Sequence, residues 1–77
     1  MNIREVFARN LRKARQAKSL SQEALAHEAD IDRTYISALE RGVYSATIDM
    51  VDKLAIVLEV EASALLQRPP KSRPRKT

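Results

Sequence analysis

The run Asp32-Arg33-Thr34-Tyr35 combines a helix-capping carboxylate with three side chains that can contact nucleic acid. The planar guanidinium of Arg33 can donate two hydrogen bonds to O6 and N7 of one guanine. Thr34 can contact a thymine methyl group or bond to a base, and Ser37, one turn further on, can contact a base or a phosphate. These residue types predict recognition of double-stranded DNA, with Arg33 as the main base-reading side chain.

Two neighbouring side chains admit both a DNA contact and a structural role. The hydroxyl of Tyr35 can bind a phosphate, and its ring can equally pack, half-buried, beside Ile36. Arg41 can reach a phosphate or can bond to the carbonyl groups at the end of its own helix. The sequence leaves both alternatives open for each residue.

Two short helices joined by a tight turn are predicted to position these side chains. Ser21 offers a hydroxyl cap for a helix over residues 22–29, and Asp32 offers a carboxylate cap for a helix from 33 to about 41. Gly42, the only glycine, stands where a left-handed residue would end the second helix. This is the layout of a helix-turn-helix, in which the second helix enters the major groove.

Apolar residues spaced three and four apart predict three further helices, over residues 2–17, 48–58 and 62–67. Thr47 is the predicted cap of the fourth helix, and its core stripe is predicted to consist of Ile48, Val51, Leu54, Ala55 and Leu58. No segment shows the alternating pattern of a strand. The predicted fold class is therefore all-α, a compact five-helix domain over residues 1–67.

The net charge of +4 is unevenly distributed along the chain. Residues 1–18 carry six basic side chains and one acidic, residues 19–67 carry three basic and nine acidic, and residues 68–77 carry five basic and none acidic. Cations placed only where phosphates lie would give this pattern, and ordinary solvated helix faces would give it too. Three prolines and no large apolar side chain predict that residues 68–77 form a disordered basic tail.

Several classes of function are excluded by what the sequence lacks. There is no Cys, so neither a disulfide nor a zinc-thiolate site is possible, and the lone His27 is predicted to be a surface residue. No nucleophile-base set and no phosphate-binding glycine loop is present. We therefore predict no enzymatic activity, no cofactor and no metal. The lack of a signal peptide or a membrane-length apolar run predicts a cytoplasmic protein without a membrane partner.

The apolar run from 54 to 58, followed by Val60, goes all the way around the predicted fourth helix. Some of its side chains must lie off the core face and need to be covered. A chain of 77 residues is also near the size at which dimerisation supplements a small core. We therefore expect a homodimer on an inverted-repeat site. Its predicted interface consists of Ile56, Val57, Val60 and Leu65.

The sequence resembles the lambda-repressor-like (XRE-type) helix-turn-helix family over about residues 6–66. The resemblance is carried by Leu11, Arg15, Leu20-Ser21-Gln22-Glu23, Leu25-Ala26, Ile36, Leu39-Glu40, Gly42 and Lys53-Leu54-Ala55. Within the family, the segment from Asp32 to Ser37, followed by Glu40-Arg41, is similar to the controller proteins of restriction-modification systems.

The resemblance implies roles for several residues. Gln22 would be the phosphate clamp at the start of the second helix, with simple helix-start propensity as the alternative. Ala38 would face the major groove, either leaving room for the duplex or meeting a thymine methyl group, and a role only as a good helix former is an equal alternative. Arg15 and Glu40 would form a structural ion pair between helices 1 and 3. Controller proteins commonly have a basic residue at position 44, whereas this chain has Tyr44, which we include among the DNA-facing residues.

Three further positions depart from the family pattern. Ser19, Asp30 and Glu59 stand where the family usually has glycine. Because glycine is the residue that adopts a left-handed backbone without strain, these replacements are expected to reduce stability without changing the fold.

These observations together predict a sequence-specific DNA-binding transcriptional regulator that acts as a homodimer, in its most specific form on a restriction-modification operon. The alternative is an antitoxin-type module that also binds DNA and holds a protein partner with its basic tail. The tail is short for neutralising a large toxin.

Overall fold

The computed structural model describes residues 1–69, and in that range it contains five α-helices and no strand. The helices are α1 (Ile3–Ala17), α2 (Gln22–Ala29), α3 (Arg33–Glu40), α4 (Ile48–Leu58) and α5 (Ala62–Leu65). The predicted all-α, five-helix fold is thus confirmed, although α5 ends two residues earlier than predicted. Of the predicted disordered tail, all but Arg68 and Pro69 lies outside the described residues.

Side-chain caps fix where the helices begin. The predicted caps are present: the hydroxyls of Ser21 and Thr47 accept hydrogen bonds of 2.9 Å and 3.0 Å from the backbone three residues on, and the Asp32 carboxylate accepts one of 2.9 Å. At α1 the structure adds a capping box, in which Asn2 and Glu5 each accept a hydrogen bond from the other's backbone N–H. These local bonds set where the helices begin, including those that carry the residues predicted to contact DNA.

One type of turn ends the first four helices. In each turn a residue with positive φ is followed by a backbone N–H that reaches the carbonyl five residues earlier, over 2.8–3.2 Å. The positive-φ residues are Ser19 (58°), Asp30 (57°), Gly42 (73°) and Glu59 (61°). The three positions at which glycine was expected are therefore left-handed, and their side chains are accommodated with backbone strain.

The core is formed by α1 packed on α3 and α5, and by α2 packed on α3 and α4. Its fully buried side chains include Leu11, Leu25, Ile36, Leu39, Leu54 and Leu58. Ile48 was wrongly predicted to belong to the α4 stripe, because it is 84% exposed. As the first residue of α4 it lies at the edge of the stripe that Val51, Leu54 and Leu58 define, where none of the other four described helices covers it.

Hydrogen bonds between the N-terminal part of the chain, which includes α1, and the segment around α5 hold α5 in place. The side-chain amide of Asn10 donates to the carbonyls of Leu65 and Gln67, at 3.0 Å and 2.8 Å, and Arg68 donates to the carbonyl of Met1 at 2.7 Å. Leu65 is thereby held in the monomer core, where it is only 1% exposed. The prediction that Leu65 contributes to a dimer interface was wrong, because its own chain already covers the side chain.

Candidate nucleic-acid interface

The outward face of α3 carries the residues predicted to contact DNA. Arg33 and Thr34 are exposed in the first turn, and Ser37 is partly exposed one turn later. Ile36 and Leu39 lie on the opposite face, fully buried in the core. The alternation of exposed and buried residues presents the N-terminal turn of α3 to solvent, which is the part of a recognition helix that meets base edges.

A groove of about 370 Å³ lies along α3 and is bordered on one side by the loop that follows the helix. It is lined by Asp32, Thr34, Tyr35, Ala38, Arg41, Val43 and Tyr44. The rings of Tyr35 and Tyr44 pack at a centroid distance of 5.7 Å and an interplanar angle of 53°. Val43 was missed by the sequence interpretation, although an apolar residue directly after the helix-ending glycine is a signal that could have identified it.

The structure shows the structural role that was left open for Tyr35 and for Arg41. Tyr35 is half-buried and its ring packs against the core, as its packing alternative predicted, and a phosphate contact through its hydroxyl stays a prediction. The Nε of Arg41 donates to the carbonyl of Ser37 at 3.4 Å, which is the helix-end role. Because Arg41 is exposed and lines the groove, its phosphate contact also stays a prediction.

Ala38 is only 6% exposed and forms the floor of the groove. Its burial argues against the predicted contact with a thymine methyl group, because almost none of its surface is accessible. The small side chain leaves room above it in the groove, and the entry of a duplex into that room, the other role that the resemblance implied, stays a prediction.

The predicted ion pair between α1 and α3 is present. Arg15 Nε lies 2.6 Å from Glu40 Oε2, and Arg15 Nη2 lies 3.0 Å from Glu40 Oε1, so the guanidinium holds the carboxylate with two hydrogen bonds. This bonding raises the pKa of Arg15 above its ordinary value, although burial acts in the opposite direction. Arg12 also donates to the backbone carbonyl of Glu40 at 3.0 Å. Two α1 arginines therefore fix the C-terminal end of α3.

Gln22, the predicted phosphate clamp, is the first residue of α2 and is half-buried. Its amide nitrogen donates to Glu40 Oε1 at 3.1 Å, a contact that the sequence did not reveal. The side chains of Arg15, Glu40 and Gln22 thus connect α1, α3 and α2 directly behind the predicted DNA surface.

Comparison with known proteins identifies the group to which this arrangement belongs. The family model described as HTH_3, helix-turn-helix, matches residues 11–65, a range that includes α2, α3 and both of their caps. The chain belongs to this helix-turn-helix family. The control protein C.BamHI of Bacillus amyloliquefaciens is 44% identical over 66 residues, which are 84% of this chain and 82% of that protein.

Solved structures of helix-turn-helix proteins superpose closely on this chain. The hypothetical transcription factor NHTF from Neisseria has a TM-score of 0.86 at 41% identity, covering 88% of this chain and 78% of that one. The restriction-modification controller protein C.Esp1396I, solved as a tetramer with its natural 35 base-pair operator, has a TM-score of 0.77 at 31% identity, covering 84% of this chain and 86% of that one. The predicted resemblance to controller proteins is confirmed.

The α4 side of this helix-turn-helix domain carries the remaining residues of the predicted dimer interface. Ile56 is 68% exposed, whereas Val57 and Val60 are half-buried and pack against the core. Ile56 is therefore the member of the predicted set that offers the most apolar surface to a second subunit. The interface role of Val57 and Val60 stays a prediction.

The described part of the chain contains no group of three or more His, Cys, Asp or Glu residues arranged to hold a metal ion. His27 is exposed, as predicted. None of the helices between residues 1 and 69 is both long enough and apolar enough to cross a membrane.

Proposed function

We propose that the protein is a cytoplasmic transcriptional regulator that binds an inverted-repeat DNA site as a homodimer and controls a restriction-modification operon. The observation that carries the proposal is the exposed first turn of α3, which presents Arg33 to solvent and Thr34 to the groove, while α1 holds the far end of the helix. A rigidly held helix with exposed hydrogen-bonding side chains at its N-terminus suits insertion into the major groove.

The electrostatics of α3 favour an anionic partner. Arg33 stands at the positive end of a helix dipole, where a cation is unfavourable in isolation. A guanine edge between flanking phosphates supplies acceptors for the Arg33 guanidinium and adds to the negative potential of the neighbouring Asp32 carboxylate. Arg33 is thus assigned to base readout and Gln22 to a backbone phosphate, whereas Thr34 and Ser37 are assigned to bases or adjoining phosphates.

The symmetry of the proposed target follows from the exposed Ile56 on α4. Pairing of two copies through this surface would present two α3 helices to one side of a duplex, with half-sites about 34 Å apart along the DNA axis. The operator complex of the related controller protein C.Esp1396I, solved as a tetramer, supports an oligomer as the binding unit. Identity to the control protein C.BamHI supports the assignment to a restriction-modification operon.

Selection of bound duplexes from a randomised pool at fixed salt concentration tests the proposal. We expect an inverted-repeat consensus, found upstream of a restriction or modification gene in the source genome. Enrichment of no sequence would reject specific DNA binding. A consensus found only upstream of other genes would reject the operon assignment while leaving specific binding intact.

A further inference from the structure

We propose that Glu40, beyond its ion pair with Arg15, is a positioning residue that orients the amide of Gln22 toward a DNA phosphate. The proposal rests on the proposed DNA-binding function and deepens it. In this proposal the buried carboxylate of Glu40 on α3 influences a contact that Gln22, at the start of α2, makes with the DNA backbone.

The Glu40 carboxylate is buried and hydrogen-bonded at both oxygens. The side chain is only 3% exposed, yet it accepts three hydrogen bonds: two from Arg15, at 2.6 Å and 3.0 Å, and one from Gln22, at 3.1 Å. Arg15 balances its charge, so the bond from Gln22 is not needed for neutralisation. In the described residues no buried side-chain nitrogen or oxygen lacks a hydrogen-bond partner, so the network contains no unsatisfied buried group.

The chemistry of the two side chains fixes the orientation of the amide. A carboxylate paired with arginine is an acceptor only, so Gln22 must turn its NH₂ group, and not its carbonyl oxygen, toward Glu40. One N–H of the planar NH₂ group is then engaged, which leaves a single direction for the second. A phosphate that takes this second N–H adds a bond without breaking the one to Glu40.

Orientation before binding matters because a glutamine side chain has three rotatable bonds. A free Gln22 would lose this rotational freedom when it meets a phosphate, and that loss would weaken the contact. Glu40 fixes the side chain in the free protein. A neutral residue at position 40 that can both donate and accept, such as glutamine, would allow the Gln22 amide to flip and to present its oxygen to the phosphate.

A double-mutant cycle tests the coupling between the two residues. The variants are Gln22→Ala, Glu40→Gln and the pair, with Glu23→Gln as a control that makes the same charge change at an exposed position on α2. Affinity is measured on the selected duplex and on duplexes in which a neutral methylphosphonate replaces one phosphate at a time. Binding is compared at a temperature where unfolding curves show every variant to be folded.

We expect Gln22→Ala and Glu40→Gln each to weaken binding by about tenfold, the size of one charged hydrogen bond. The double variant should be no weaker than either single variant, and one methylphosphonate position should abolish the effect of both. Glu23→Gln should leave the coupling unchanged. Independent, multiplicative losses from the two substitutions would overturn the proposal.

A measurement on the unmodified protein gives an answer even if Glu40→Gln does not fold. Nitrogen relaxation of the side-chain amides should show Gln22 to be rigid in the free protein and the exposed Gln16 to be mobile. A Gln22 amide as mobile as that of Gln16 would overturn the proposal.

The results also distinguish this proposal from the proposed function. If the wild-type protein selects no duplex at all, the proposed function is rejected. If it binds specifically while Gln22 is mobile or uncoupled, only the role of Glu40 is rejected.

Discussion

Arg15 and Glu40 form a two-bond ion pair across the packing of α1 on α3, with nitrogen-oxygen distances of 2.6 Å and 3.0 Å. The carboxylate is almost completely shielded from water. Among residues 1–69, Gln22 is the only other side chain that donates a hydrogen bond to it, and Arg12 Nε lies 4.0 Å from its Oε1. Removing one charge of the pair would therefore leave the other without its hydrogen-bonded partner in the domain interior.

We expect Arg15→Met to reduce the free energy of unfolding by up to about 3–5 kcal/mol. The buried Glu40 charge would lose its hydrogen-bonded counterion, leaving the more exposed Arg12 guanidinium, whose Nε lies 4.0 Å from Glu40 Oε1. Urea denaturation monitored by circular dichroism measures this change. The double variant with Glu40→Leu should recover much of the loss, since no unpaired charge remains. Lys18→Met removes a cation from the same helix end and from the exposed pair with Glu59, and should have a much smaller effect. A loss from Arg15→Met as small as that from Lys18→Met would contradict the prediction.

Local features of the fold could be read from the sequence because they depend on neighbouring residues. The caps at Ser21, Asp32 and Thr47 and the left-handed Gly42 each follow from one side chain and the backbone beside it. The family resemblance supplied the partnership of Arg15 with Glu40, which no local pattern contains.

Features that depend on packing between distant segments could not be read in this way. Leu65 has the residue type of an interface position, but the bonds from Asn10 to the chain around it turn it into the core. Ile48 fits the helical period of α4 and is nevertheless exposed. The bond between Gln22 and Glu40 joins residues eighteen positions apart, and only the packing of α2 on α3 brings them together.

Ser19 has a φ of 58° and an exposed side chain. Because an L-residue in this conformation costs about 1–2 kcal/mol, Ser19→Gly should raise stability by roughly 1 kcal/mol after the greater flexibility of glycine in the unfolded chain is deducted. Thermal unfolding at fixed pH measures the gain. Ser19→Ala retains the Cβ atom and should give none, so an equal gain from both variants would show that the strain lies elsewhere.

Arg33→Ala should weaken specific DNA binding by about 1–3 kcal/mol and relax the preference at one base pair of each half-site, because a two-bond guanine contact carries that discrimination. Repeating the duplex selection with the variant measures both effects. Arg33→Lys keeps the positive charge but loses the planar guanidinium group with its two parallel donors. This variant should retain non-specific affinity while losing most of the base preference. An equal loss on every sequence would instead identify Arg33 as a phosphate contact.

Ile56→Glu should convert a dimer at micromolar concentration into a monomer, since a charge would enter the apolar surface proposed to pair the two subunits. Sedimentation analysis, alone and on an inverted-repeat duplex, measures the change, and circular dichroism verifies that the helices persist. Ile48→Glu is the matched control, because it places the same charge at an even more exposed isoleucine of α4. A monomer produced by Ile48→Glu and not by Ile56→Glu would place the interface at the start of α4.

Removal of residues 70–77 should lower the affinity for all DNA sequences alike and leave the consensus unchanged. The segment carries Lys71, Arg73, Arg75 and Lys76, whose charges can approach phosphates without base-specific geometry. The truncation begins after Pro69 so that the bond from Arg68 to the Met1 carbonyl is retained.

The dependence of affinity on salt decides how the terminal residues act. Removing one phosphate contact should reduce the slope of log affinity against log salt concentration by about 0.9, so the removal of two per subunit is measurable. A full-length variant with glutamine at the four basic positions should show the same slope as the truncation, because the charges of these residues, and not the length of the chain, are expected to set the slope. If neither variant changes the slope, these residues do not contact DNA. If the truncation alone changes it, chain length matters and the electrostatic explanation fails.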